Sequence, residues 1–205
     1  MNITTIIRIE ATISSIGGTG LLVWWFLMPI LLPIDDAADS FQNLILDSNW
    51  VFVNVIGLCS VLLLTLGFPG FYLKYANSFK LPGFIGMMVT TSGLILYTCI
   101  QYYETIIWPA AAKINPRLLD VQGELVSGDT LVVSGLVISG AILAVGYMIF
   151  GISALKAKSF PKLPIWLLII GVPLFGIGVL FPIRTVGILL FSTGTICLAN
   201  HIRKE

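Results

Sequence analysis

DTLVVSGLVISGAILAVGYMIFGISALK, residues 129–156, decides the fold. It opens on an acid, Asp129, closes on a base, Lys156, and carries no charge in between. A bilayer core is crossed by roughly 20 apolar residues wound as an α-helix, because only a helix or a closed barrel pairs its own backbone groups there. The stretch is therefore read as a membrane span with an acidic end and a basic end.

Working outward, apolar stretches occur at about 12–33, 50–73, 83–108, 129–155, 163–181 and 183–200. The segments between them alternate in charge. One set holds Arg8, Lys74, Lys80, Lys156, Lys158, Lys162, Arg203 and Lys204, which is eight of the 11 Lys/Arg. The other holds Asp35, Asp36, Asp39, Asp47, Glu104, Asp120, Glu124 and Asp129, eight of the ten Asp/Glu, together with Lys113, Arg117 and Arg184. Short loops rich in Lys/Arg stay in the cytoplasm. The pattern predicts an all-α polytopic integral membrane protein: one domain, 1–205, forming a six-transmembrane-helix bundle with both termini inside.

Composition agrees. The chain is 57% hydrophobic and 10% charged, with a mean hydropathy of +1.00. A soluble domain carries about 25% charged residues. Charge segregated by side, with a net of +1, leaves no basic patch for nucleic acid. Membrane lipids are the expected surroundings and partners. A bacterial plasma membrane is the expected location, given the compact layout and the lack of eukaryotic targeting signals.

The N-terminus resembles a secretory leader, with Arg8 before an apolar run and the small Ala37–Ala38 after it. The run is long for that role, and Asp35 and Asp36 stand where cleavage wants neutral residues. A retained first helix is expected. Its outer loop contains Phe41, Leu44 and Ile45 at helical spacing, which predicts a short interfacial helix. Asn115–Pro116 predicts another at 116–122, and Ser127 or Asp129 is expected to cap the fourth span. Gly67–Phe68–Pro69–Gly70 reads as the end of the second span and Trp108–Pro109 as the end of the third. Leu73–Lys74 with Lys80–Leu81–Pro82 recurs 82 residues later as Leu155–Lys156 with Lys162–Leu163–Pro164. The flanking spans barely match, so common turn chemistry explains this echo better than a transporter repeat.

The third span has the best-organised polar face. Thr90, Tyr97, Gln101, Glu104 and Trp108 fall on one stripe at 3.6 residues per turn, and polar groups in a span should face the bundle interior. Asn54, Asp129 and Arg184 are placed at similar height by their distance from outer helix ends. Asn54, Tyr97, Gln101, Glu104, Trp108, Asp129 and Arg184 are thus the candidate ligand-binding residues, with Glu104 or Asp129 as the expected partner of Arg184. The plain alternative is a hydrogen-bonded cluster that fixes helix packing.

Gly135, Ser139, Gly146 and Ser153 share a small-residue face of the fourth span. Internal packing is expected there, with a homo-oligomer contact as the alternative. Gly171, Pro173, Gly176 and Gly178 predict a kink in the fifth span. Asp35, Asp36 and Asp39 lack the glycine and terminal glutamate of a calcium loop. His201 is the single histidine and sits by the last helix end with Arg203 and Lys204, which argues against haem and metal centres. Cys59, Cys99 and Cys197 lie inside spans without C-x-x-C spacing and read as packing residues. No phosphate-binding, hydrolase or zinc-protease motif occurs. No cofactor, metal or catalytic residue is expected.

Three functions stay open. The first is binding of a lipid, small ligand or protein partner through the outer cluster. The second is a small-solute transporter or channel acting as an oligomer. The third is an enzyme acting on lipid or isoprenoid at the outer leaflet, with Glu104 or Asp129 as acid or base, Tyr103 nearby, and Arg184 on an anionic group. The first requires least of the sequence.

Overall fold

The computed structural model describes residues 2–34, 41–120, 122–176 and 181–204. The described residues are helical, with no strand among them. In chain order the elements are α1 (Ile3–Leu31), α2 (Phe41–Leu46), α3 (Trp50–Gly67), α4 (Pro69–Lys74) and α5 (Ala76–Tyr102). There follow a π turn (Tyr103–Ile107), α6 (Trp108–Ile114) and a 3-10 turn (Pro116–Leu119). A second π turn (Glu124–Gly128), α7 (Thr130–Ala157), α8 (Lys162–Gly176) and α9 (Phe181–Lys204) complete the chain. Asp35, Asp36, Asp39 and Gly178 lie outside the described residues.

Among the described residues five helices are long and apolar enough to cross a membrane: Ile3–Leu31, Trp50–Lys74, Ala76–Ile114, Thr130–Ala157 and Pro182–Lys204. The apolar α8 is shorter. The chain is a multi-pass helical membrane protein.

Several helix boundaries differ from the sequence reading. Charge marks where hydrocarbon ends, not where a helix does. α1 begins at Ile3, with the Asn2 side chain accepting from the Thr4 N–H at 3.3 Å, and runs through Arg8 and Glu10. Helical turns occupy most of the stretch expected as a basic loop, 74–80, and the break expected before the third span stands at Lys80, where α5 divides into two pieces. The third long helix passes Trp108–Pro109 and reaches Ile114, because Pro109 falls in the first turn of α6, where its missing N–H costs nothing.

The six main helices form a ring. α1 packs on α3, α3 on α5, α5 on α7, α7 on α8 and α8 on α9, and α9 closes back onto α1. Aromatic rings fill its axis in a continuous column. Phe160 meets Phe79, Phe79 meets Phe150 at 5.3 Å, Phe150 meets Phe68 at 5.0 Å, and Phe68 meets Tyr147 at 5.0 Å. Tyr147 then meets Phe191, Phe191 stacks on Phe175, and Phe175 meets Tyr97 at 4.9 Å. Glycine lets α5 and α7 approach closely: a Cβ at Gly93 would stand 2.6 Å from Leu143 Cα.

Of the small-residue face, Gly146 abuts Thr90 of α5, and Ser139 and Ser153 are buried with their hydroxyls donating to the carbonyls of Gly135 and Ile149. Only Gly135 stands open.

The ends of the ring differ. At one, Phe160 gathers Tyr75 at 4.7 Å and His201 at 6.2 Å, bringing the 74–80, 156–162 and 201–204 segments together. Lys80, Lys156, Lys158 and Lys162 stand exposed there. At the other, α2 and the 3-10 turn pack over α6. Phe41, Trp50 and Tyr103 surround Trp108 at 5.5, 6.3 and 6.0 Å.

Candidate functional site

The polar end of the site begins with a break in helix register. In the π turn the Trp108 N–H bonds to the Tyr103 carbonyl, five residues back. The next residue, Pro109, has no N–H to give. The Glu104 carbonyl is thereby passed over by both, and accepts instead from Trp50 Nε1 at 3.0 Å. Such π turns recur at functional sites because they re-aim side chains. Here the Glu104 carboxylate turns back along its own helix, where its Oε2 accepts from Gln101 Nε2 at 3.1 Å.

Gln101 is fully buried, and α3 makes room for it. A Cβ at Gly57 would stand 2.9 Å from Gln101 Oε1 and 2.8 Å from the Trp24 ring, so only glycine admits both. Beyond Gly57, Trp24 Nε1 donates to Asn54 Oδ1 at 3.3 Å, and Asn54 Nδ2 donates to the Trp50 carbonyl at 3.0 Å. Buried indole N–H groups need such partners.

Arg184, in the first turn of α9, reaches the same region from the opposite side. Its Nη2 donates to Tyr97 Oη at 2.8 Å. The guanidinium lies over the rings of Trp25 and Phe175, at 5.6 and 5.8 Å. Ring faces carry partial negative charge and replace some of the hydration the cation has lost. Trp25 is itself held by a bond from its Nε1 to Thr185 Oγ1 at 2.9 Å. Arg184 Nε is buried and has no hydrogen-bond partner among the described residues.

Tyr97, Glu104 and Arg184 line one cavity of about 350 Å³ between α5, α7 and α8. Its other walls are apolar, chiefly Val133, Leu136, Val137 and Phe175. Val137 is 56% exposed, so the cavity reaches the outer, lipid-facing side of the ring. Ile100 and Leu136 also line an adjoining apolar groove of about 340 Å³ along α5 and α7, over the open face of Gly135. A polar pocket thus adjoins an apolar track.

The seven residues named from the sequence separate into three groups. Tyr97, Glu104 and Arg184 share the cavity, and Gln101 stands directly behind Glu104. Asn54 and Trp108 belong to the packing around Trp50: Asn54 on the α1 side, Trp108 stacked on the indole. Asp129 is exposed and caps α7, accepting from the N–H groups of Leu131 at 2.6 Å and Val132 at 3.3 Å. Arg184 does not take the expected carboxylate: among the described residues no ion pair within 4 Å joins it to Glu104 or Asp129, and its hydrogen bond goes to the Tyr97 phenol. Trp24, Trp25, Phe175 and Gly57 were not foreseen. The paired indoles of Trp24–Trp25 in an otherwise aliphatic run were the signal for two of them.

Among the described residues no group of His, Cys, Asp and Glu is placed to hold a metal ion. No protein-family model matches the chain, and neither a curated protein nor a solved structure matches it.

Proposed function

We propose that the protein is a six-span membrane protein with both termini cytoplasmic, and that its outer cavity binds an amphipathic ligand of lipid type. The apolar α8 (Lys162–Gly176) supplies the sixth crossing in this reading. The gathering of Lys80, Lys156, Lys158 and Lys162 at one end supports the orientation.

One observation carries the binding proposal. Arg184 keeps a buried, unpartnered Nε at the rim of a cavity that is polar at one end and apolar toward the lipid side. A head group with acceptor oxygens would pair with Arg184, and a donor on the same head group would meet Glu104. The hydrocarbon part would lie on Val133, Leu136 and Val137 and continue into the groove beside Gly135. Charged groups inside a membrane are costly and mark sites for function by default. A path along the bundle axis has less support, because the aromatic column fills it. An acid–base pair of Glu104 and Asp129 also has less, because Asp129 is engaged as the α7 cap.

Native mass spectrometry of gently extracted wild type, Arg184→Gln and Glu104→Gln tests this. The expected result is a small-molecule adduct on wild type that falls about tenfold in Arg184→Gln, as for loss of one charge-assisted contact, with folding retained. An adduct-free wild type, or one unchanged by both substitutions, would overturn it.

A further inference from the structure

The opposite end of the bundle holds a second, unrelated cleft. It lies between α5 and α7, measures about 430 Å³, and is lined by Ser78, Lys80 and Lys156 around apolar walls from Pro82, Ile149 and Ile152. Both lysines are exposed, and among the described residues neither is ion-paired with a carboxylate. Ile152 is 44% exposed, so this cleft also opens toward the lipid-facing side. Two cations on two different helices thus converge on one amphipathic recess at the basic end.

The backbone of Lys80 adds a separate argument. It sits at φ 53°, ψ −162°, breaking α5 into two pieces. Pro82 explains an interrupted helix, because it offers no N–H to the Ser78 carbonyl and restricts Leu81 before it, but it does not act on the φ of Lys80. Pro82 does not explain a lysine. That corner of backbone space is essentially reserved for glycine, and a side chain there costs free energy. Strain of this kind is kept where the side chain is needed, and ligand clamps are a common case. The strained backbone stands at the cleft itself, whose lining includes both Lys80 and Lys156.

We propose that this cleft binds the phosphate-bearing head group of an anionic lipid, clamped between Lys80 and Lys156, with its hydrocarbon on Ile149, Ile152 and Pro82. Basic pockets between spans on the cytoplasmic side suit such head groups, and each cation near the surface contributes about a five-fold gain in affinity. The site is independent of the outer cavity.

The test uses delipidated full-length protein titrated with phosphatidylglycerol or phosphatidylcholine and read by native mass spectrometry. Wild type should favour phosphatidylglycerol several-fold. Lys80→Gly and Lys156→Gln should each lower its affinity about five-fold. Lys162→Gln, which removes an equal charge at the same end outside the cleft, should not. Lys80→Arg should retain binding. Lys80→Gly should unfold at a temperature no lower than wild type, since glycine relieves the strain; lost binding with undiminished stability is the signature that a packing role would not give. Unchanged affinity in Lys80→Gly and Lys156→Gln, or an equal loss in Lys162→Gln, would overturn the proposal. Inorganic phosphate that displaces the lipid at millimolar concentration would also overturn it, assigning the cleft to the free ion.

Discussion

At the basic end the lysines Lys80, Lys156, Lys158 and Lys162 stand exposed, and the interior beneath them is aromatic: Phe160, Phe79 and Tyr75 with His201. At the other end Arg184 is drawn in between Trp25 and Phe175 and bonded to Tyr97. The carboxylate of Glu104 is likewise turned inward onto Gln101. One end keeps its lysines at the surface on long, flexible stems, the arrangement that costs least at a membrane boundary, and tucks in a single carboxylate oxygen, Glu10 Oε2, against Gly70. The other holds charge inside the protein, where each group needs a built partner. The difference teaches where to look for specificity. Exposed lysines mark one end; internal Arg184 and Glu104 line a pocket at the other.

Substitutions can break or sharpen this contrast. The largest effect is expected midway between the ends. Phe150, fully buried, joins Phe79 to Phe68 in the aromatic column. Phe150→Ala should cost about 3 kcal/mol by leaving a cavity, lowering the thermal unfolding midpoint in detergent and loosening both ends together. Loss confined to one end would mean that the column does not couple them.

Gly57→Ala comes next and should act on the outer end alone. Its methyl would meet Trp24 and Gln101 at once, at a cost of about 2 kcal/mol from overpacking. A shift in tryptophan emission with unchanged lysine labelling at the basic end would match. Smaller again is Trp50→Phe, which removes the donor to the Glu104 carbonyl and should cost about 1 kcal/mol. Trp108→Phe sharpens that result, because Trp108 Nε1 has no partner among the described residues to lose. Unfolding of the two variants side by side should rank Trp50 first. The least effect is expected of Lys162→Gln, within about 0.5 kcal/mol, as for an exposed charge away from any network.

Much of the architecture was legible because the bilayer imposes simple rules on sequence. Apolar runs with charged ends identified the long helices, and Asp129, Asn115–Pro116 and Phe41–Ile45 marked a cap and two short helical elements that the structure contains. The stripe on α5 placed Tyr97, Gln101 and Glu104 together correctly. Trp108 is buried as the stripe requires but stacks on Trp50 and does not line the cavity, because the π turn, which Pro109 makes favourable by leaving a carbonyl free, interrupts the constant 3.6-residue period. Arg184 was matched to a carboxylate because charge counting knows only charges. The rings of Trp25 and Phe175 and the Tyr97 hydroxyl hold it, with Nε left unpartnered, through geometry that no local pattern encodes. Asn54 and Asp129 lie at helix positions that suggested the cavity, yet each is engaged within its own element or its neighbour.

The most direct measurement is a high-resolution electron cryo-microscopy map of the protein in nanodiscs of its source membrane, carried by a rigid antibody fragment. The outer-cavity account predicts elongated density running from Arg184 Nε, past Ile100 and Leu136, into the groove beside Gly135. Separated water peaks alone at Arg184, or a cavity closed by the approach of α7 to α8, would contradict it.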